Sequence, residues 1–125
     1  MIVADTDVLI DFLSGQEPVA SVVASAIATE EGMATTVVSR FELLSGVRSA
    51  RQGRAVGRLL EALSTLALES PAADRAARVR RNLEKAGVSI GMADSLIAGI
   101  VLEHGGRLLT RNKRHFERVE GLALV

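Results

Sequence analysis

Asp5 and Asp7 follow the apolar run Ile2-Val3-Ala4, and this placement is the first chemical signal in the chain. An unbroken apolar run suits a strand buried on both faces of a parallel sheet, and such sheets bind ligands beyond the carboxyl ends of their strands. Both acids would stand at that end. A competing role is local, since Asp5 or Thr6 could simply cap a helical turn over Val8–Leu13.

Three more polar residues are brought to the same edge by chain order. Glu42 falls in the first turn of a helix after a second strand, Met33–Val38, with Ser39-Arg40-Phe41-Glu42 at capping-box spacing. Asp94 opens the helix Met92–His104. That helix is joined to the next strand through only Gly105-Gly106-Arg107, so it must run antiparallel to that strand and begin at its carboxyl edge. Asn112 follows Leu108 and Leu109 closely and belongs at that edge too. Asp5, Glu42, Asp94, Asn112 and Asp7 are therefore expected to converge. Each has a local role as well: Glu42 closes a capping box, Asp94 is favourable near a helix N-terminus, and Asn112 forms turns. Crowded carboxylates repel one another unless a cation sits between them, and an all-oxygen site favours Mg²⁺ or Mn²⁺ over zinc.

The elements that position these residues alternate. A helix starts near Pro18 and stops at Gly32, carried by Val19, Val22, Val23, Ala26 and Ile27 at helical spacing. Phe41, Leu44 and Val47 continue the helix that holds Glu42, and Arg51–Leu63 forms another. Leu66–Leu68 is a short third strand. Ser70-Pro71 caps a helix running to about Ala86, ended by Gly87. Thr110–Arg118 is a turn with a short helix, and Leu122–Val125 a last strand. Strands alternating with helices predict a three-layer α/β/α domain over residues 1–125 with a mostly parallel sheet of five strands.

Composition narrows the function classes. The chain has 125 residues, no cysteine, and only three aromatic rings, Phe12, Phe41 and Phe116. A thiolate metal site is excluded, and recognition of single-stranded RNA by stacking on aromatic platforms is disfavoured. The absence of cysteine suits a reducing cytoplasm, the expected location, and neither a signal peptide nor a membrane-spanning run is found. Net charge is zero but uneven. Residues 1–39 hold six acids and no Lys or Arg, while the rest of the chain sets fifteen bases against nine acids, or +6. An acidic segment beside a basic remainder suits a metal site next to a polyanion path.

Four stretches in order complete the pattern: Asp5-Thr6-Asp7 after a strand; Ser39-Arg40-Phe41-Glu42-Leu43 with Gly46; Ala93-Asp94-Ser95-Leu96-Ile97-Ala98; and Thr110-Arg111-Asn112 followed by Phe116. Together they resemble the ordered motifs of the PIN domain, specifically the VapC-type toxins of toxin-antitoxin pairs. The resemblance covers nearly the whole chain. It implies a PIN-like fold, a Mg²⁺- or Mn²⁺-dependent endoribonuclease, and a VapB-like antitoxin partner; a homodimer is expected. It implies catalytic roles for Asp5, Glu42, Asp94 and Asn112, with Asp5, Asp94 and Glu42 toward the metal and Asp7 and Thr110 as additional site residues. Many relatives carry Asn or Ser where Asp7 stands, and Asp where Asn112 stands. Asn112 is therefore assigned to orienting water or a carboxylate.

Arg111, Lys113 and Arg114 emerge from the same edge and are assigned to RNA, with Arg48, Arg51, Arg54 and Arg58 as the alternative path. An antitoxin arm is expected in an apolar groove around Phe41, Leu44, Val47, Leu59 and Leu60. His104 reads as a helix-end residue and His115 as a surface one, neither a general base. Two rival functions compete. Asp5-Thr6-Asp7-Val8 also fits the start of haloacid-dehalogenase-like phosphatases, with Asp5 as nucleophile. The other rival is a non-catalytic PIN-like binding module.

Overall fold

The computed structural model describes residues 1–125. Its strands are β1 (Ile2–Ala4), β2 (Met33–Thr36), β3 (Ser64–Leu66), β4 (Arg107–Leu109) and β5 (Ala123–Leu124), lying side by side in the order β3-β2-β1-β4-β5. Every neighbouring pair is parallel, so the sheet expected to be mostly parallel is wholly so. Parallel neighbours need crossover connections. These are α1 (Thr6–Leu13) and α2 (Val19–Ile27) before β2, then α3 (Val37–Ser45) and α4 (Ala50–Ala62) before β3. They continue with α5 (Ser70–Lys85) and α6 (Met92–His104) before β4, and α7 (Lys113–Phe116) before β5.

Alternation along the strands builds two cores. Val3 and Ala34 face one side with Val79, Leu83, Ile97, Val101, Leu108 and Phe116. Ala4 and Met33 face the other with Val8, Leu9, Val23, Leu43, Leu59 and Leu60. Successive residues of a strand point to opposite faces, so α5, α6 and α7 cover one side of the sheet and α1 to α4 the other. The result is the three-layer arrangement predicted from the alternating elements.

Strand order reverses at β1: the chain moves outward to β2 and β3 on one flank, then returns to place β4 and β5 on the other. A crevice opens at such a reversal, beyond the carboxyl ends of the strands. The residues leaving the two central strands there are Asp5 and Thr110, and Asp5 N–H extends the ladder by donating to the Leu109 carbonyl at 2.9 Å.

Several boundaries differ from the sequence reading. β2 ends at Thr36, not Val38, because the Thr36 hydroxyl accepts the Ser39 N–H at 3.1 Å and starts α3. Ser39 thus lies inside the helix, no capping box forms, and Glu42 sits in the second turn. β3 lies two residues earlier than Leu66–Leu68, paired Ala34 to Ser64 and Thr36 to Leu66. Glu69 occupies the cap position of α5, moving Ser70 and Pro71 into its first turn. α2 ends at Ile27, and Gly32, with φ of +69°, makes the turn into β2. The expected bounds of α6 match those observed, with Gly105 in the left-handed conformation closing it. No helix is long and apolar enough to cross a membrane.

Candidate active site

Asp5 is the most enclosed acid of the crevice, with 6% of its surface exposed. Its two oxygens have separate donors: Oδ1 accepts the Thr6 N–H at 2.8 Å and Oδ2 the Thr110 hydroxyl at 2.7 Å. Asp5 therefore does cap α1, as the local reading had it, while also facing the crevice. Burial pushes its carboxyl up to about 6; the Thr110 hydrogen bond opposes that shift, and the nearby charges of Asp7 and Asp94 add to it. Thr110 is itself buried and its hydroxyl accepts the Asn112 N–H at 3.0 Å, so the β4 exit is folded around Asp5.

Glu42 reaches this edge through hydroxyls. Thr6 Oγ1 lies 2.7 Å from Glu42 Oε1 and 2.8 Å from Ser39 Oγ, with Thr36 Oγ1 a further 3.4 Å from Ser39 Oγ. A carboxylate only accepts, and a hydroxyl has one proton to give. Thr6 therefore donates to Glu42, Ser39 to Thr6, and Thr36 to Ser39. Ser39 and Thr36 are wholly buried, and this chain of donors ends on an exposed carboxylate.

Asp94 stands in the first turn of α6, where the helix dipole favours a negative charge. Its Oδ2 lies 2.7 Å from His115 Nδ1, and the Asn112 side-chain amide lies 2.8 Å from the same nitrogen. His115 is thus not simply a surface residue but a member of the site. The signal was its position three after Asn112, which puts both on one face of a turn. Thr6 and Ser39 were likewise not assigned to the site from sequence.

Asp7 holds the β4 exit, accepting the Arg111 N–H at 3.2 Å. The Arg111 guanidinium pairs with Asp11 at 2.6 Å, whereas Lys113 and Arg114 have no acidic partner. His104 lies away from this group, its Nε2 3.4 Å from the Ala67 carbonyl.

Asp5, Asp7, Asp94, Asn112 and Thr110 thus gather around the crevice, with Glu42 tied to it through Thr6. No three Asp, Glu or His side chains stand close enough to hold an ion among them, and Glu42 and Asp94 are instead engaged by Thr6 and His115. The donors nonetheless fit Mg²⁺ or Mn²⁺. All are oxygens, Asp5 carries repulsion that a cation relieves, and Mg²⁺ commonly takes only one or two carboxylates and keeps several waters.

Comparison with known proteins follows the same lines. A family model described as the PIN domain matches residues 2–122. Ribonuclease VapC19 of Mycobacterium tuberculosis is 32% identical over 112 residues, which is 90% of this chain and 89% of that protein. VapBC2 from Rickettsia felis, solved bound to a DNA fragment from its promoter, superposes with a TM-score of 0.85 at 17% identity, covering 100% of this chain and 98% of that one. A toxin-antitoxin complex from Klebsiella pneumoniae gives a TM-score of 0.81 at 20% identity, covering 98% and 96%.

Proposed function

The chain belongs to the PIN-domain family, and from that premise we propose that it is a divalent-metal-dependent endoribonuclease, the toxin of a VapBC-like toxin-antitoxin pair. The observation that carries the chemistry is the buried Asp5, pushed up to about 6 and flanked by Asp7 and Asp94 with no Lys or Arg paired to any of the three. The haloacid-dehalogenase reading falls, because the family model spans residues 2–122 and β4 leads into Thr110-Arg111-Asn112 without a pair of acids.

Asp5 and Asp94 would hold Mg²⁺ or Mn²⁺, with Glu42 and Asn112 meeting it through water. Such an ion, when bound, acidifies water and offsets charge building on phosphate oxygens. The chain's own groups supply the rest. Thr110 and the Thr6 N–H fix the two oxygens of Asp5, Thr6 aims Glu42 so that it can accept a proton from water, and Asp7 fixes the turn that presents Lys113 and Arg114 to phosphates. The test is cleavage of RNA by purified chain in Mg²⁺, Mn²⁺ or EDTA. Asp5→Asn and Asp94→Asn should each reduce cleavage by orders of magnitude with the fold retained, and RNA binding without any cleavage would defeat the reading.

Partner surfaces support the same assignment. A groove of about 620 Å³ between α1, α3 and α4 is lined by Ile10, Leu13, Leu43, Val47 and Val56 beside Glu42, and suits an apolar antitoxin arm. Of the residues expected in that groove only Val47 lines it: Leu59 and Leu60 are instead buried in the core, and Phe41 and Leu44 are exposed outside it. Phe41, 69% exposed, and the exposed Leu44 and Met92 are large apolar side chains that a homodimer contact would cover.

A further inference from the structure

We propose that His115 is a positioning residue for the cation: it anchors one oxygen of Asp94 so that the other is presented to the ion. This rests on the metal-dependent nuclease reading above. His115 Nδ1 lies 2.7 Å from Asp94 Oδ2, while Oδ1 accepts no hydrogen bond from the protein. Because a carboxylate only accepts, Nδ1 carries the proton, and that fixes the tautomer. The Asn112 side-chain Nδ2 lies 2.8 Å from the same nitrogen; with the Nδ1 proton given to Asp94, that contact is favourable only when the amide is rotated to place its oxygen there.

The anchor is itself held. Phe116, next in sequence, is wholly buried in one core with Ile97, Ala98 and Val101 of α6, which holds α7 against that helix, and the His115 N–H donates to the Asn112 carbonyl at 3.1 Å, which closes the turn. Asp94 needs such a hold. It lies in the first turn of a helix entered through Gly91, with φ of 86° and no side-chain cap, so free backbone N–H groups compete for its carboxylate. His115 keeps Asp94 outward, and the Asp94 contact is the only hydrogen bond its ring makes apart from that to Asn112. Partners of this kind, which orient a ligand without touching the metal, commonly affect metal affinity.

The experiment is direct Mn²⁺ binding to the full chain, followed by the loss of the free-ion electron paramagnetic resonance signal. His115→Ala should weaken binding about tenfold or more. His115→Asn, whose amide N–H falls near the position of Nδ1, should recover most of it, whereas His115→Gln, whose amide falls near Nε2, should not. Melting in EDTA should be the same for His115→Ala and wild type, since the ring is half exposed. Adding His115→Ala to Asp94→Asn should change nothing further. Wild-type affinity in His115→Ala, or His115→Asn no better than His115→Gln, overturns the proposal. A wild-type chain that binds no Mn²⁺ overturns the metal-dependent reading itself, and this inference with it.

Discussion

Thr6 Oγ1 lies 2.7 Å from Glu42 Oε1, joining α1 to α3 across the carboxyl edge of the sheet. The same residue's N–H binds Asp5, so one position holds two acids of the site. Thr6→Val keeps the shape and the backbone donor but removes the hydroxyl. It should cost about 1 kcal/mol of stability, the usual net value of one hydrogen bond. Its larger effect should fall on turnover, because a freed Glu42 loses its aim: kcat for RNA cleavage is expected to drop roughly 10- to 100-fold. Thr6→Ser should recover most of the loss, and equal kcat in Thr6→Val and wild type would remove Glu42 positioning from the mechanism.

Asp5 sets a pH dependence of folding. Its carboxyl is raised from 3.8 to about 6 in the folded chain, chiefly by burial. The folded state therefore keeps a proton that the unfolded state releases, and stability falls as pH rises through this window. At about 1.36 kcal/mol per unit, the metal-free chain should lose on the order of 3 kcal/mol between pH 4 and pH 7 from this group. Urea unfolding in EDTA measures the slope, Asp5→Asn should flatten it, and Mn²⁺ at pH 7 should restore stability by binding the folded form.

How far the site was legible depended on how local each signal is. The bounds of α6 were readable because an apolar pattern ends at Gly105-Gly106, and Asp5 because an apolar strand runs into it. The start of α3 was not, since Val37 and Val38 are β-branched and read as strand until Thr36 is seen to cap the turn. The contacts that orient the acids were hidden by distance along the chain. Thr6 meets Glu42 36 residues away and Asp94 meets His115 21 residues away, and no periodicity encodes either pairing. The register of β3 was hidden for a related reason: Ser64 and Thr65 pair with β2 through backbone alone and are exposed.

Gly99 marks a close approach between α5 and α6. A Cβ there would meet the Ala72 carbonyl oxygen at 2.6 Å, Ala76 Cβ at 2.6 Å and the Ala76 nitrogen at 2.7 Å. Gly99→Ala would gain about 1 kcal/mol of helix propensity in an open helix. Here two of the three neighbours are backbone, so α6 must move and the substitution should destabilise by about 1–3 kcal/mol. Because Asp94 rides on α6, Mn²⁺ affinity should fall with it, and a thermal melt at or above wild type would show that the helices separate without cost.

Lys113 and Arg114, not Arg111, should carry the phosphate contacts. Arg111 is held at both ends, its N–H on Asp7 and its guanidinium 2.6 Å from Asp11, whereas Lys113 and Arg114 extend from α7 without an acidic partner. A cation already paired gains less from a phosphate, because the pairing must first be broken. Lys113→Ala with Arg114→Ala should weaken binding of a single-stranded RNA and lower the slope of log affinity against log salt by about 1.4, some 0.7 for each phosphate left without its cation. Arg111→Ala should leave that slope nearly unchanged while loosening the β4 exit, seen as faster amide exchange at Asn112. If Arg111→Ala alone lowers the slope and the double variant does not, RNA must displace Asp11 and the path runs over α1.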